Sequence, residues 1–164
     1  MGLKLGSTSS KIDGLEGQTS TTPPISKGVF SFNSRNIIRE MTFKNCWGEH
    51  QVIDARFCDN DLITNPEYLT KWVKDLVQTI NMVAFGEPFV VHFGKNDPKL
   101  AGWTVVQLIE TSNIVAHFND LDGSACIDVF SCAPFSEKVV KEQIKKWFGD
   151  KVVLDSKKIT RLPN

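Results

Sequence analysis

Apolar and polar positions change rhythm several times along this chain, and each change predicts an element. From Glu49 to Cys58, "EHQVIDARFC" alternates well enough for a strand. The next segment, "DNDLITNPEYLTKWVKDLVQTINMV", switches to helical spacing: Leu69, Trp72, Val73, Leu76, Val77 and Ile80 recur three and four apart. Asn65 is placed to cap that helix and Pro66 to open it. "EPFVVHFG" predicts a strand and "KNDPKLAG" a loop, then "WTVVQLIET", "NIVAHF" and "SACIDVFSC" predict three more strands. A second helix is expected over "SEKVVKEQIKKWFG". Ser136 caps it, Val139, Val140, Ile144 and Trp147 form its apolar stripe, and Gly149 stops it. "KVVLDSKKITRL" closes the chain as a final strand or a pair.

The order β-α-β-β-β-β-α-β implies an α/β (α+β) fold. It is a two-layer sandwich, its sheet mainly antiparallel and its two helices on one face. Trp72 and Trp147 lie on the helix stripes and are expected in the core. Residues 1–40 have a different texture, rich in Gly, Ser and Thr, with Pro23-Pro24 and no sustained period. Such a segment buries too little apolar area to offset its ordering entropy, which predicts a disordered extension before a domain over 41–164.

Composition narrows the partners. With 19 basic and 19 acidic residues the formal net charge is +0, so no overall field favours nucleic acid or an acidic membrane. No segment approaches the roughly 20 apolar residues that cross a bilayer. The N-terminus lacks the apolar centre of a secretory signal. A reducing, cytoplasmic setting is therefore expected, with Cys46, Cys58, Cys126 and Cys132 as free thiols that mostly pack. No cysteine pair and none of the three histidines shows metal-ligand spacing, so no metal is expected.

One polar step remains. Thr111, Ser112 and Asn113 separate the apolar runs "WTVVQLI" and "IVAHF". Taken singly, this step is turn chemistry, His117 a satisfied strand histidine and Cys132 a packed thiol. Their separations change the picture, since His117 follows Ser112 by five residues and Cys132 by twenty. With that spacing, "ETSNIVAHF…GSACIDVFSC" resembles the core motif of the prokaryotic-type S-adenosylmethionine decarboxylases. "GEHQVIDARFCD" more faintly resembles the family's opening "G-x-His" strand. The likeness spans residues 46 to 148 and is specific between Thr104 and Cys132.

The resemblance implies a self-cleaving decarboxylase that acts on S-adenosylmethionine, releases carbon dioxide and supplies spermidine synthesis. It also implies a homodimer of cleaved protomers whose sites draw on both copies. The scissile bond would be Thr111–Ser112, and Ser112 would become a covalent pyruvoyl group, an electron sink like pyridoxal phosphate elsewhere. By the same likeness His117 carries a proton in processing, a role suited to a group titrating near neutrality. Cys132 would return a proton to the substrate's α carbon, and the Thr104 hydroxyl would help hold the cleavage intermediate.

The chain also departs from the family pattern. The family places Glu before the reactive serine; here Thr111 stands there and Glu110 one step earlier. Its aromatic-Pro-Glu run, which stacks on adenine and binds ribose, is replaced by Asn119, Asp120 and Leu121. Glu110, Phe118, Asp120 and Asp122 are the remaining candidates for substrate contacts. The upstream loop that supplies the family's other stacking aromatic contains Pro98 here, which makes Phe93 and Trp103 the candidate substitutes. These changes leave open the same chemistry on arginine or ornithine. They also leave open a silent homologue that regulates an active partner, although the retained Ser, His and Cys argue against that. His50 and His92 are expected to be structural, and Asp128 a buried hydrogen-bonding group.

Overall fold

The computed structural model describes residues 46–163; the extension predicted over 1–40 lies outside them. Strand β1 (Cys46–Arg56) leads through a one-turn helix α1 (Asn60–Ile63) into α2 (Pro66–Thr79). A meander follows: β2 (Ala84–Phe93), β3 (Gly102–Ile109), β4 (Ser112–Asn119) and β5 (Ala125–Ser131). Helix α3 (Glu137–Phe148) then returns the chain to β6 (Val153–Pro163). The strands form one sheet in the order β2-β3-β4-β5-β1-β6, and each neighbouring pair is antiparallel.

Alternation in the strands decides which face is covered. Ile53 and Ala55 of β1, Val105 and Ile109 of β3, Ile114, Ala116 and Phe118 of β4, and Ile127 and Val129 of β5 are buried. They join the buried residues of α2 and α3 in one core. At its centre the Trp72 ring meets Phe118 edge-on at 5.4 Å and Phe148 at 5.1 Å. Asn65 Oδ1 accepts the Tyr68 N–H at 3.0 Å, with Pro66 in the first turn, so α2 starts where the sequence predicts. Ser136 caps α3 in the same manner, and Gly149, at φ 113°, ends it.

Several expectations shift. Helix α3 buries Val140, Gln143, Ile144 and Phe148, while Val139 and Trp147 are only partly covered. Trp147 stays near the surface because its indole N–H donates to Asp75 Oδ2 at 2.7 Å, bridging the two long helices. Phe148 takes the core position instead. β1 stops at Arg56, short of Cys58, because Phe57 adopts φ 62° and turns the chain. The C-terminal stretch is a single edge strand, and Cys132 lies one residue beyond β5.

Just past that turn, the Cys58 thiol is buried, and burial pushes it up from the ordinary 9.0 to about 11, partly offset by a backbone hydrogen bond. An unfolded chain would release this proton first. The stability tied to Cys58 is therefore complete below pH 9 and lost as pH rises towards 11. Urea midpoints measured across that interval should fall, and the fall should be shallower for Cys58→Ala.

Candidate active site

Ile109 and Ser112 pair directly across β3 and β4, so only Glu110 and Thr111 make the turn. Favoured two-residue hairpin turns need positive φ at a central residue, which a β-branched threonine resists. Among the described residues neither Glu110 nor Thr111 adopts it. The unusual conformation falls instead on Ser112, at φ 152°. That region is costly for a residue with a side chain, on the order of 1–3 kcal/mol. The strain sits at the bond the sequence singles out.

The carbonyl of Thr111 accepts the backbone N–H of Cys132 at 2.9 Å. An amide carbonyl so held is polarised towards attack, and its donor already faces any negative charge that forms on the oxygen. Half-buried Ser112 accepts a weak bond from Asn113 Nδ2 at 3.3 Å, and among the described residues its own hydroxyl proton has no acceptor. Partial burial raises the Cys132 thiol above its ordinary value, so it keeps its proton at neutral pH. Ser112 and Cys132 thus share one end of the sheet.

Thr104 and His117 share the other end. They pair across β3 and β4 on the face away from the helices, and Thr104 Oγ1 lies 2.8 Å from His117 Nδ1. The remaining ring nitrogen, Nε2, is bordered by Gly102. A Cβ at Gly102 would sit 3.0 Å from that nitrogen and 2.0 Å from the Phe118 carbonyl oxygen. Gly102→Ala should therefore displace β4 and occlude His117. A lower thermal midpoint is the expected outcome, and a variant matching wild type would show that β4 does not need this close approach.

Five residues of extended strand separate Ser112 from His117, about 16 Å along β4. Within the chain, Ser112 thus lies near Cys132 and Thr104 near His117, but the two pairs are apart.

The other candidates are placed as follows. Phe118 is fully buried against Trp72 and Phe148, which closes it to substrate and removes it from the contacts named above. Asp122 is exposed and accepts the Ser124 N–H at 2.9 Å, capping a turn. Asp120 Oδ2 is engaged at 2.6 Å with His92 Nε2, and Trp103 stands edge-on to the same imidazole at 5.0 Å. Glu110 is exposed in the hairpin turn, and Phe93 is exposed at the end of β2. His50 pairs with Asp128 at 2.8 Å and lies against Phe130, so Asp128 does hydrogen bond, though it is only half-buried. Sequence reasoning passed over Ser131 and Gly102. The one signal was position: Ser131 adjoins Cys132, and Gly102 stands where an apolar strand begins.

Among the described residues no helix is long and apolar enough to cross a membrane. A search of curated proteins returns no match. Among solved structures, the crystal structure of the adenosylmethionine decarboxylase from Aquifex aeolicus VF5 has a similar fold. Its TM-score is 0.60 at 23% identity, over 71% of this chain and 92% of that one. The family model for S-adenosylmethionine decarboxylase matches residues 49–161, which include both clusters. That match spans well over half of the sequence, and the chain belongs to the S-adenosylmethionine decarboxylase family.

Proposed function

We propose that this protein is a self-cleaving, pyruvoyl-dependent decarboxylase whose substrate is S-adenosylmethionine, placed in spermidine synthesis. The single observation that carries this is the Thr111–Ser112 bond: a strained serine, a hydroxyl with no acceptor among the described residues, and a carbonyl already held by the Cys132 N–H. Ser112 Oγ attacks the Thr111 carbonyl carbon, and the peptide nitrogen leaves protonated, so an ester replaces the amide. Elimination across Cα–Cβ of Ser112 releases Thr111 as a carboxylate. The resulting dehydroalanine takes up water and loses ammonia, leaving a keto group at the new chain end.

That pyruvoyl group would supply an electrophilic carbonyl and an electron sink for decarboxylation. The surrounding residues suit it, because Cys132 is close and carries a proton at neutral pH. Cys132 donates that proton to the substrate's α carbon. His117, held by Thr104, moves protons during processing.

The separation of the two pairs supports a homodimer. On the face away from the helices, Phe85, Phe89, Phe93 and Leu108 are 67%, 63%, 51% and 50% exposed. A second copy stacked on this face about a two-fold axis buries them and brings each Ser112 towards the partner's His117. Sites built in this way need both chains.

A second reading keeps the chemistry and changes the substrate to arginine or ornithine. Its support is that Asp120 Oδ2 is engaged with His92 and Asp122 Oδ1 caps a turn, so each carboxylate that could serve ribose already has one oxygen committed. Intact mass analysis of the purified protein tests the main reading. Fragments 1–111 and 112–164 are expected, the second reactive towards hydroxylamine and about 17 Da lighter than its sequence, the net loss of one ammonia from the serine end. Carbon dioxide released from each candidate substrate then chooses between them. A single uncut chain would sink both readings and favour a regulatory homologue.

A further inference from the structure

Thr111 is gripped by its side chain as well as by its carbonyl, and the cleavage steps described above make no use of the side-chain contact. Ser131 ends β5 fully buried, paired in register with Ser112 on one side and Glu49 on the other. Its hydroxyl accepts the Ala133 N–H at 2.9 Å and donates to Thr111 Oγ1 at 2.9 Å. The Thr111 hydroxyl in turn donates a hydrogen bond to Met82 Sδ at 3.2 Å. The next residue, Cys132, holds the Thr111 carbonyl. Two consecutive residues thus fix Thr111 at two points, one through a side chain and one through the backbone.

Two anchors stop what one allows. A carbonyl held only by the Cys132 N–H can swing about that bond as the hairpin relaxes. With the side chain also fixed, the peptide plane before Ser112 has one orientation. The strained φ of Ser112 persists only if its surroundings over-determine it. Sulfur is a weak, neutral acceptor, so Met82 takes up the Thr111 hydroxyl proton without adding charge beside the reacting bond.

We propose that Ser131 is a positioning residue for self-cleavage. It holds Thr111 so that the carbonyl stays in reach of the Ser112 hydroxyl and the strain is not released. It touches neither reacting atom. This rests on the self-cleavage proposed above, and the outcomes separate the two ideas.

The experiment follows cleavage by intact mass after refolding full-length chain from urea. Ser131→Ala should cleave about tenfold more slowly than wild type, the effect of one hydrogen bond lost from a transition state. Ser131→Thr, which keeps the hydroxyl, should restore the rate. Once cleaved, Ser131→Ala should match wild type in kcat per cleaved chain, since the contact acts before Thr111 becomes a free end. Thr111→Val removes the same link from the other side if Ser131→Ala does not refold, and should be similarly slow. The double variant should be no slower than either single one. Wild-type cleavage rates in Ser131→Ala, or equal slowing in Ser131→Thr, would overturn the role of Ser131 and leave self-cleavage standing. An uncut wild-type chain would overturn both.

Discussion

Ser112→Ala is expected to give one uncut chain that releases no carbon dioxide from any substrate. Alanine removes the attacking oxygen, and the Thr111–Ser112 amide then has only bulk water to break it. The rate of chain cleavage should drop by at least about a thousandfold, the scale on which loss of a covalent nucleophile is felt. The fold should survive. Ser112 contributes one weak side-chain contact, with Asn113, and alanine meets the same backbone cost at φ 152°. An unchanged thermal midpoint beside absent cleavage is the result to look for, by mass analysis and calorimetry on one preparation. Cleavage of Ser112→Ala at an appreciable rate would move the scissile bond elsewhere and remove the basis of the proposed chemistry.

The second large effect tests whether sites are shared between copies. Ser112→Ala and His117→Ala should each be inactive when expressed alone, with activity lowered at least about a hundredfold. Expressed together they should recover about a quarter of wild-type activity. Random pairing makes half of the dimers mixed, and a mixed dimer has one complete site out of two. In that site the His117→Ala chain supplies Ser112 and Cys132, while the Ser112→Ala chain supplies Thr104 and His117. The recovered activity should disappear when Phe89→Glu is added to both chains, because two carboxylates then meet on the face proposed to pair. No recovery on mixing would mean that each chain completes its own site, and that β4 bends enough in solution to join its ends.

The elements were legible because their signals are local. Asn65-Pro66 and Ser136 mark helix starts through hydrogen bonds made within three residues. Strand alternation marks the covered face because the side-chain period is two. The stripe on α3 was misjudged by one residue for a physical reason. Trp147 is more apolar than it is buried, and its N–H finds Asp75 on the other helix, a partner 72 residues away. Short α1 was missed because four residues carry no period to read.

The candidate site was legible in its residue types and not in its geometry. Spacing singled out Ser112, His117 and Cys132, and the family resemblance added Thr104. Pairing of Thr104 with His117 depends on the β3–β4 register, and the hold of Cys132 on Thr111 depends on where β5 ends beside the hairpin. Phe118 stood among the candidates for substrate contacts, next to His117 in the chain. Consecutive strand residues face opposite sides, and Phe118 points into the core.

By itself the sequence determined the longer helices and the strands of the meander, the fold class and the residue types that chemistry can use, since these follow from caps, periodicity and composition over short stretches. Only the tertiary structure decided that Ser112 carries the strain, that Ser131 and Cys132 hold Thr111, and that His117 lies at the opposite end of β4. Those facts arise from register between strands distant in the chain, and register is a property of the assembled sheet that no single segment encodes.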